Sequence, residues 1–169
     1  MGLDQLEFRR VDTWDDCQDF MRWLGNKRDW LGFDVETSGL IPYHDPIRFA
    51  QFGDHTMGWG LDYPEWKGLV SNIFDTYRGN IVAHNALFDL KMMKADGVAT
   101  PQRYFHDTMV MCFLKDPGSR LDLKGASAIY KVYEWQRVAS IPASIVGPWK
   151  NGVLVRWYDS KLNIIWRTP

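Results

Sequence analysis

The sequence predicts an α/β fold in which helices flank a mixed sheet. Apolar residues recur at helical spacing over residues 14–24 and 66–77, and a short alternation of apolar and polar residues marks a strand within residues 30–40. Two apolar runs joined by a three-residue turn add an antiparallel hairpin. Strands, a hairpin and helices in this order are typical of a layered α/β fold and not of a barrel or a bundle.

The N-terminal part is predicted to hold an edge strand and an amphipathic helix. The strand covers residues 6–11, and Thr13 then caps the helix, with Asp16 completing a capping box. Gly25 suits the end of this helix. Five residues fall on its inner face at helical spacing: Trp14, Cys17, Phe20, Met21 and Leu24.

The middle of the chain is predicted to form the hairpin and a second helix. Strands at residues 47–53 and 57–61 flank a turn at residues 54–56. Pro64 opens the helix, and Asp62 is a possible cap. The apolar stripe of this helix contains Trp66, Leu69, Val70, Ile73, Phe74 and Tyr77.

Further along, a short buried strand at residues 80–83 precedes a helix that Asn85 caps and that runs to Gly97. Asp107 caps another helix, with apolar residues Val110, Phe113 and Leu114. Asp122 can cap one more, with an inner face of Leu123, Ala126, Tyr130 and Tyr133. Beyond it, residues 147–151 are turn-like, and residues 153–158 could pair with residues 163–166 as two strands.

The composition narrows the class of protein. A chain of 169 residues is long enough for one domain with a core. A net charge of −1 argues against a broad basic surface and so against tight non-specific binding to a duplex. Cys17 and Cys112 are expected to be reduced core thiols. No apolar run approaches the ~20 residues of a membrane span, and the N-terminus lacks a signal-peptide pattern, so we expect a cytoplasmic protein without a membrane partner.

The strand within residues 30–40 carries the first candidate site. Asp34 and Glu36 project to one face of the strand, while Phe33 and Val35 pack into the other. Two carboxylates about 7 Å apart along a buried strand repel one another and are poorly solvated. A bound Mg²⁺ or Mn²⁺ would relieve both problems, because these hard cations take oxygen ligands. The alternative is that the two acids lie on a solvated edge.

A second candidate lies where a strand is followed by a helix. Asn85 and Asp89 are four residues apart and share one helix face, which holds Asp89 in the first turn, near the end of the sheet. There it can meet a carboxylate from a neighbouring strand. The alternative is that Asn85 is only a cap and Asp89 only compensates the helix dipole. His84 and Asp107 are interpreted as a strand-end residue and a helix cap.

Taken together, these motifs resemble a known family. The stretch FDVETSGL at residues 33–40, followed about fifty residues later by His84-Asn85-x-x-x-Asp89, resembles the first two motifs of the DnaQ-like 3′–5′ exonucleases. The spacing and the strand at residues 47–54 most resemble the proofreading domain of family A DNA polymerases. The pieces at residues 106–109 and 121–124 are similar to that domain in phage-encoded polymerases (DNA polymerase I). The resemblance covers residues 31–130 and implies an RNase H-like fold, in the host cytoplasm if the chain is phage-encoded.

The resemblance also implies roles for individual residues. Asp34 would bridge two divalent metals, Mg²⁺ or Mn²⁺; Glu36 would hold the metal that activates water and would orient that water; Asp89 would hold the second metal. Two such cations stabilise the charge on the attacking and leaving oxygens of a phosphodiester. Thr37 and Leu40 match positions that touch the terminal nucleotide, with Leu40 a wedge beside the last base. Asn85 would contact the substrate strand or support Asp89.

The resemblance does not extend over the last quarter of the chain. Residues 1–130 carry the first two motifs, whereas residues 131–169 lack the third, Tyr-x-x-x-Asp or His-x-x-x-x-Asp. Asp159 is the only aspartate there, and Val155 stands where its tyrosine would be. Three explanations remain open: a fourth carboxylate supplied by Asp159 or by a partner chain, a split or frameshifted polymerase gene, or a degenerate relative that binds without cutting.

The sequence therefore predicts a metal-dependent 3′–5′ exonuclease of the proofreading type that acts on single-stranded DNA 3′ ends. A polymerase domain or a second chain is an expected partner. A nuclease-inactive module of the same fold that binds nucleic acid or another protein is the alternative, and an exonuclease that trims RNA is a third possibility.

Overall fold

A computed structural model describes residues 7–26, 29–99, 105–123, 125–126, 149–150 and 153–154. These residues form eight strands and four helices in the order β1 (Glu7–Val11), α1 (Trp14–Gly25), β2 (Trp30–Thr37), β3 (Ile47–Gly53), β4 (Met57–Asp62), α2 (Tyr63–Thr76), β5 (Asn80–Ala83), α3 (Ala86–Ala95), β6 (Phe105–Asp107), α4 (Thr108–Lys115), β7 (Trp149–Lys150) and β8 (Val153–Leu154).

Six strands form one mixed sheet, with the order β1-β4-β3-β2-β5-β6. The pairs β2–β3 and β3–β4 are antiparallel, which confirms the predicted hairpin around residues 54–56. The pairs β1–β4, β2–β5 and β5–β6 are parallel. With helices packed on the sheet, this is the predicted α/β fold of the RNase H-like type. It places β2 in the interior of the sheet, between β3 and β5.

The main core lies between the sheet and helices α1 and α2. On α1 the buried residues are Cys17, Phe20, Trp23 and Leu24. The prediction of Trp14 and Met21 on the inner face is wrong, because 68% of Trp14 and 38% of Met21 is exposed. Trp23 packs against Phe20 and Trp59, at 5.9 and 6.3 Å between ring centroids. The buried stripe is therefore rotated toward Trp23, and Trp14 lies about 100° around the helix axis from its centre.

The predicted stripe of α2 is confirmed. Val70, Ile73 and Phe74 are buried, and three further members of the stripe are partly buried against the same core: Trp66, Leu69 and Tyr77. Phe74 meets Phe33 of β2 edge-on, at 4.9 Å between ring centroids. This contact joins α2 to the apolar face of the strand that carries Asp34 and Glu36.

The helix caps follow the sequence in part. At α1 the capping box is confirmed: Asp16 N–H donates to Thr13 Oγ1 (3.2 Å), and Thr13 N–H donates to the Asp16 carboxylate (2.8 Å). Asp62 occupies the N-cap of α2 but makes no side-chain capping bond. Pro64 lies in the first turn, where its missing N–H leaves one less donor to satisfy.

Helix α3 departs further from the prediction. Asn85 holds its N-cap position, but with a left-handed backbone (φ 59°) and no side-chain capping bond. The helix ends at Ala95 and not at Gly97, which adopts φ +80° two residues later. A left-handed residue past the end of a helix is a common stop, and glycine carries no steric cost there.

Helix α4 is capped as predicted but is less buried than its sequence indicates. Only Cys112 is buried on it, whereas Val110, Phe113 and Leu114 are 48%, 47% and 74% exposed. Cys17 and Cys112 are both buried free thiols, which confirms their prediction. After α4, Asp122 Oδ1 accepts from Gly125 N–H (2.9 Å), the predicted cap of a further helical turn. Leu123 is exposed and Ala126 buried; Tyr130 and Tyr133 lie outside the described residues.

Near the C-terminus, β7 and β8 form an antiparallel pair with Trp149 opposite Leu154 and Lys150 opposite Val153. Residues 149–150 were predicted to lie in a turn, so that prediction is wrong for them, and the partner of β8 is β7. The pairing predicted for residues 155–158 and 163–166, and Asp159 itself, fall outside the described residues. Within the described part of the chain, no helix has the length and apolar character needed to cross a membrane.

Candidate active site

Strand β2 displays the two predicted acids on the face of the sheet away from α1 and α2. Leu31, Phe33 and Val35 are buried in the core, while Asp34 and Glu36, which alternate with them, are only partly buried on the other face. On the neighbouring strand β3, Gln51 lies opposite Asp34 and Phe49 lies opposite Glu36. The predicted alternation of the strand is confirmed. The alternative of a solvated edge is wrong, because β2 lies inside the sheet and both acids are partly buried.

Asp89 reaches β2 from the first turn of α3. Strand β5 pairs with β2 only as far as Gly32, so the backbone of Val35 lies beyond the end of that pairing. There Asp89 Oδ1 accepts a hydrogen bond from Val35 N–H (3.0 Å). The side chain of Asp89 is 2% exposed, and it contacts β2 at the residue between Asp34 and Glu36. The structure thus brings the three predicted acids to one place.

Three negative charges at this site are electrostatically unfavourable. Burial, followed by repulsion from Asp89 and Glu36, raises the pKa of Asp34 well above its usual range. The pKa of Asp89 is raised to about 7. Burial is the main cause and the nearby charge of Asp107 adds to it, while the hydrogen bond from Val35 N–H acts in the opposite direction. Each contribution to the pKa of Asp34 favours its neutral form. A positive charge placed among these carboxylates would therefore be strongly favoured.

The donor set fits a hard divalent cation in its chemistry. It consists of carboxylate oxygens, the ligands that Mg²⁺ and Mn²⁺ prefer. However, among the residues described here, no three His, Cys, Asp or Glu side chains form a group that could hold a metal as they stand. The hydrogen bond from Val35 N–H directs one oxygen of Asp89 at the strand backbone. A side-chain adjustment would accompany metal binding.

Asp107 joins the starts of two helices next to this site. Its Oδ1 accepts from Met109 N–H (2.8 Å), which caps α4 as predicted, and also from Asn85 N–H (3.1 Å) at the start of α3. The second bond fixes the left-handed residue that precedes Asp89 by one helical turn. Sequence reasoning found the cap but missed both this link and the effect of Asp107 on the pKa of Asp89.

His84 has a structural role, in line with its interpretation as a strand-end residue. Its Nε2 donates to the carbonyl oxygen of Leu121 (2.8 Å), and its Nδ1 lies 2.9 Å from Thr108 Oγ1. The imidazole therefore ties the end of β5 to the start of α4 and to the segment that follows α4.

Three predicted substrate-binding residues lie around the acids. Thr37 is the last residue of β2, half-buried, and its hydroxyl donates to Gly39 O (2.5 Å). Leu40 follows and is 78% exposed. The side chain of Asn85 is exposed at the start of α3. Their positions are compatible with contact to a strand end, and their roles stay predictions.

Gln51 is a residue that sequence reasoning missed. It is buried, and as the cross-strand partner of Asp34 it lies on the same face of the sheet. Its Nε2 has no hydrogen-bond partner among the described residues. A buried amide without a partner is costly and rare. The only signal in the sequence is a lone glutamine within an apolar strand, which by itself indicates nothing about the site.

Comparison with known proteins identifies the family. A family model described as 3′–5′ exonuclease matches residues 8–126, more than half of the chain. The chain belongs to the 3′–5′ exonuclease family. The matched range contains Asp34, Glu36 and Asp89, and it ends before residues 131–169, where the third motif is absent. The narrower resemblance to phage family A polymerases stays a prediction. A search of the curated proteins finds no match to the chain.

Solved structures share the exonuclease fold at low identity. The catalytic core of RRP6 from Trypanosoma brucei has a TM-score of 0.64 and 20% identity over 85% of this chain and 42% of its own. Escherichia coli RNase D has a TM-score of 0.60 and 15% identity; the match covers 82% of this chain and 35% of RNase D. Brucella melitensis NrnC, which has also been solved with bound Mg²⁺, has a TM-score of 0.55 and 18% identity; the match covers 79% of this chain and 63% of NrnC. The chain therefore spans less than two thirds of each of these proteins.

Proposed function

We propose that this exonuclease-family chain hydrolyses phosphodiester bonds at the 3′ ends of single-stranded DNA, using Mg²⁺ or Mn²⁺. One observation carries the proposal: Asp89 contacts β2 between Asp34 and Glu36, and burial and mutual repulsion raise the pKa of Asp34. One buried and two partly buried acids, gathered where their charges repel Asp34, are the arrangement expected of a metal-dependent active site.

Asp34, Glu36 and Asp89 would hold the cations, which when bound stabilise the charge that develops on the attacking and leaving oxygens. Asp34 and Glu36 would supply carboxylate ligands from the strand, and Asp89 would supply one from the helix. The hydrogen bond from Val35 N–H restrains Asp89 against the strand. Glu36 would orient the attacking water. The residues thus position the reactants, and in-line attack on the last phosphodiester would release a mononucleotide.

The choice of DNA as substrate is supported by the motifs. The stretch FDVETSGL and the HNxxxD sequence resemble the proofreading domains of DNA polymerases. RNA is the second candidate, because Escherichia coli RNase D is described as an exoribonuclease involved in structured RNA processing. The two candidates share the site and the chemistry, and they differ in the sugar next to the scissile bond.

The incomplete motif pattern supports a partner. We propose that a second chain, or a polymerase domain, supplies the missing carboxylate unless Asp159 does so. Substitution Asp159→Asn separates the two: a large loss of turnover in the isolated chain assigns the role to Asp159. Turnover in the isolated chain that is unchanged by this substitution would show that neither Asp159 nor a partner is needed, and would contradict the proposal of a partner.

The test is incubation of the chain with 3′-labelled single-stranded DNA and, separately, with RNA of the same sequence, in Mg²⁺, in Mn²⁺ and in excess chelator. We expect metal-dependent release of labelled mononucleotides from DNA, abolished by Asp34→Ala. A matched control is Asp15→Ala, because Asp15 is an exposed acid on α1, which packs on the opposite face of the sheet.

Release that persists in Asp34→Ala or in chelator would contradict the proposal. Faster release from RNA would favour the second candidate. Binding of single strands without turnover in either metal would favour the nuclease-inactive module of the same fold.

A further inference from the structure

The loop that directly follows β2, residues 38–46, exposes three large apolar side chains. Leu40, Ile41 and Tyr43 are 78%, 61% and 84% exposed. The loop begins directly after Thr37, one residue past Glu36, and its far end is tied back by a hydrogen bond from Ser38 N–H to Pro46 O (3.0 Å). The apolar surface is therefore continuous in the chain with the strand that carries the acids.

Asp45 holds this loop in one shape from within. Its Oδ2 accepts from Ile41 N–H (2.9 Å), and its own N–H donates to Ile41 O (2.9 Å). Oδ1 lies 2.7 Å from His44 Nδ1. The bond from Ile41 N–H lowers the pKa of Asp45, so its carboxylate is the accepting form at neutral pH. A Cβ on Gly39 would overlap with this carboxylate, which accounts for glycine there. The exposed side chains are thus presented by an ordered turn.

Tyr43 contributes nothing visible to the stability of the fold. Its backbone is left-handed (φ 69°), a conformation that is unfavourable for a bulky residue and free of cost for glycine. Within the described part of the chain, its side chain makes no hydrogen bond, ion pair or ring contact. An aromatic ring held at a strained and exposed position, without a partner among the described residues, points to a partner outside the fold.

We propose that residues 38–46 form a stacking platform on which Tyr43, flanked by Ile41, packs against nucleobases of a single-stranded nucleic acid near its 3′ end. The proposal rests on the proposed function and adds the binding subsite. With a net charge of −1, the chain has no overall excess of basic side chains to neutralise phosphates. Stacking of bases on aromatic side chains must then supply a large part, and it is tolerant of sequence because every base has a π-face.

The test is a double-mutant cycle between the loop and the bases. Binding of two fluorescein-labelled single strands is measured by anisotropy in chelator, where no cleavage is expected; the strands are identical except that the last three nucleotides of one are abasic. Tyr43→Ala is expected to weaken binding of the normal strand roughly 5- to 150-fold, the range for loss of one stacked base. It should leave binding of the abasic strand unchanged. Tyr43→Phe should retain wild-type affinity, since the ring remains.

Trp14→Ala is the matched control, because Trp14 is an aromatic residue of similar exposure (68%) on α1. Trp14→Ala should change neither the affinity for the normal strand nor that for the abasic strand. Asp45→Ala should weaken binding of the normal strand as Tyr43→Ala does, while Asp45→Asn, which keeps an acceptor for Ile41 N–H, should weaken it less.

Thermal unfolding verifies that each variant folds, and Tyr43→Gly is expected to be more stable than wild type and yet to bind like Tyr43→Ala. Equal loss on both strands, or no loss on either, would overturn the platform. If the wild type cleaves 3′ ends while Tyr43→Ala binds normally, only the platform fails. If the wild type cleaves nothing but the cycle shows coupling, the platform stands and the proposed activity fails.

Discussion

Substitution Asp89→Asn should stabilise the metal-free protein at alkaline pH while it removes activity. Asp89 is 2% exposed, and burial raises its pKa from 3.8 to about 7. Above pH 7 the folded protein must bury a charge that the unfolded chain exposes to water. This rise in the pKa corresponds to roughly 4 kcal/mol of free energy that opposes folding.

The sign of the pH dependence follows from this shift. Because the folded-state pKa is the higher one, the unfavourable contribution is complete above about pH 7, declines as the pH falls through 7, and vanishes below about 4. At pH 5 about two thirds of this free-energy cost has been relieved, so this residue alone makes the wild type roughly 3 kcal/mol more stable at pH 5 than at pH 8.

Asparagine keeps an oxygen that accepts from Val35 N–H and carries no charge. We expect Asp89→Asn to gain about 2 kcal/mol at pH 8, below the ceiling set by the pKa shift, since its amide also needs partners. That corresponds to a rise of roughly 4–8 °C in Tm. Asp89→Ala leaves the Val35 N–H without an acceptor, which costs about 1–3 kcal/mol, and it should gain less.

The assay is urea unfolding followed by the fluorescence of the nine tryptophans, in chelator, at pH 8 and pH 5. Addition of Mg²⁺ at pH 8 should reverse the order, because a cation that binds only the folded wild type stabilises it. If Asp89→Asn is less stable than wild type at pH 8, or if the two show the same pH dependence, the account of Asp89 as a buried, electrostatically strained acid is wrong.

Three further predictions concern the scaffold. Thr13→Ala removes the acceptor for Asp16 N–H and should cost about 1 kcal/mol in urea unfolding, whereas Thr13→Ser should cost little. Phe74→Ala removes a fully buried ring that packs on Phe33, and we expect a loss of about 3–5 kcal/mol, with no change in the pH dependence assigned to Asp89. Gln51→Leu replaces a buried amide whose Nε2 has no partner among the described residues, so the free energy of unfolding should stay equal or rise. A decrease of more than about 2 kcal/mol in the free energy of unfolding would contradict this reading of Gln51.

Much of the fold follows from local patterns. Helical spacing located α1 and α2, and the alternation along β2 assigned Asp34 and Glu36 to one face and Phe33 and Val35 to the other. Local periodicity fixes which residues share a face. It fixes the centre of a buried stripe less well: helical spacing predicts Trp14 on the inner face and leaves out Trp23, whose burial depends on its packing against Trp59.

The candidate site was predictable in its membership and not in its detail. The acids were identified from their positions on a strand and at a helix start, together with a family resemblance. The bond from Val35 to Asp89 joins residues 54 apart in sequence, and no local pattern encodes it. Asp107 shows the same limit: its capping bond is local and was predicted, but its bond to Asn85 depends on how β5 and β6 pair.

The central claim is that Asp34, Glu36 and Asp89 together bind a divalent cation. Titration of Mn²⁺ into the chain at pH 8, followed by the loss of the free-ion EPR signal, tests it most directly, with Asp34→Asn and the control Asp15→Asn beside the wild type. The account predicts saturable binding in the wild type and in Asp15→Asn, and binding weakened at least tenfold in Asp34→Asn, as expected when a direct ligand is lost. Equal binding by all three proteins, or none by the wild type, would contradict it.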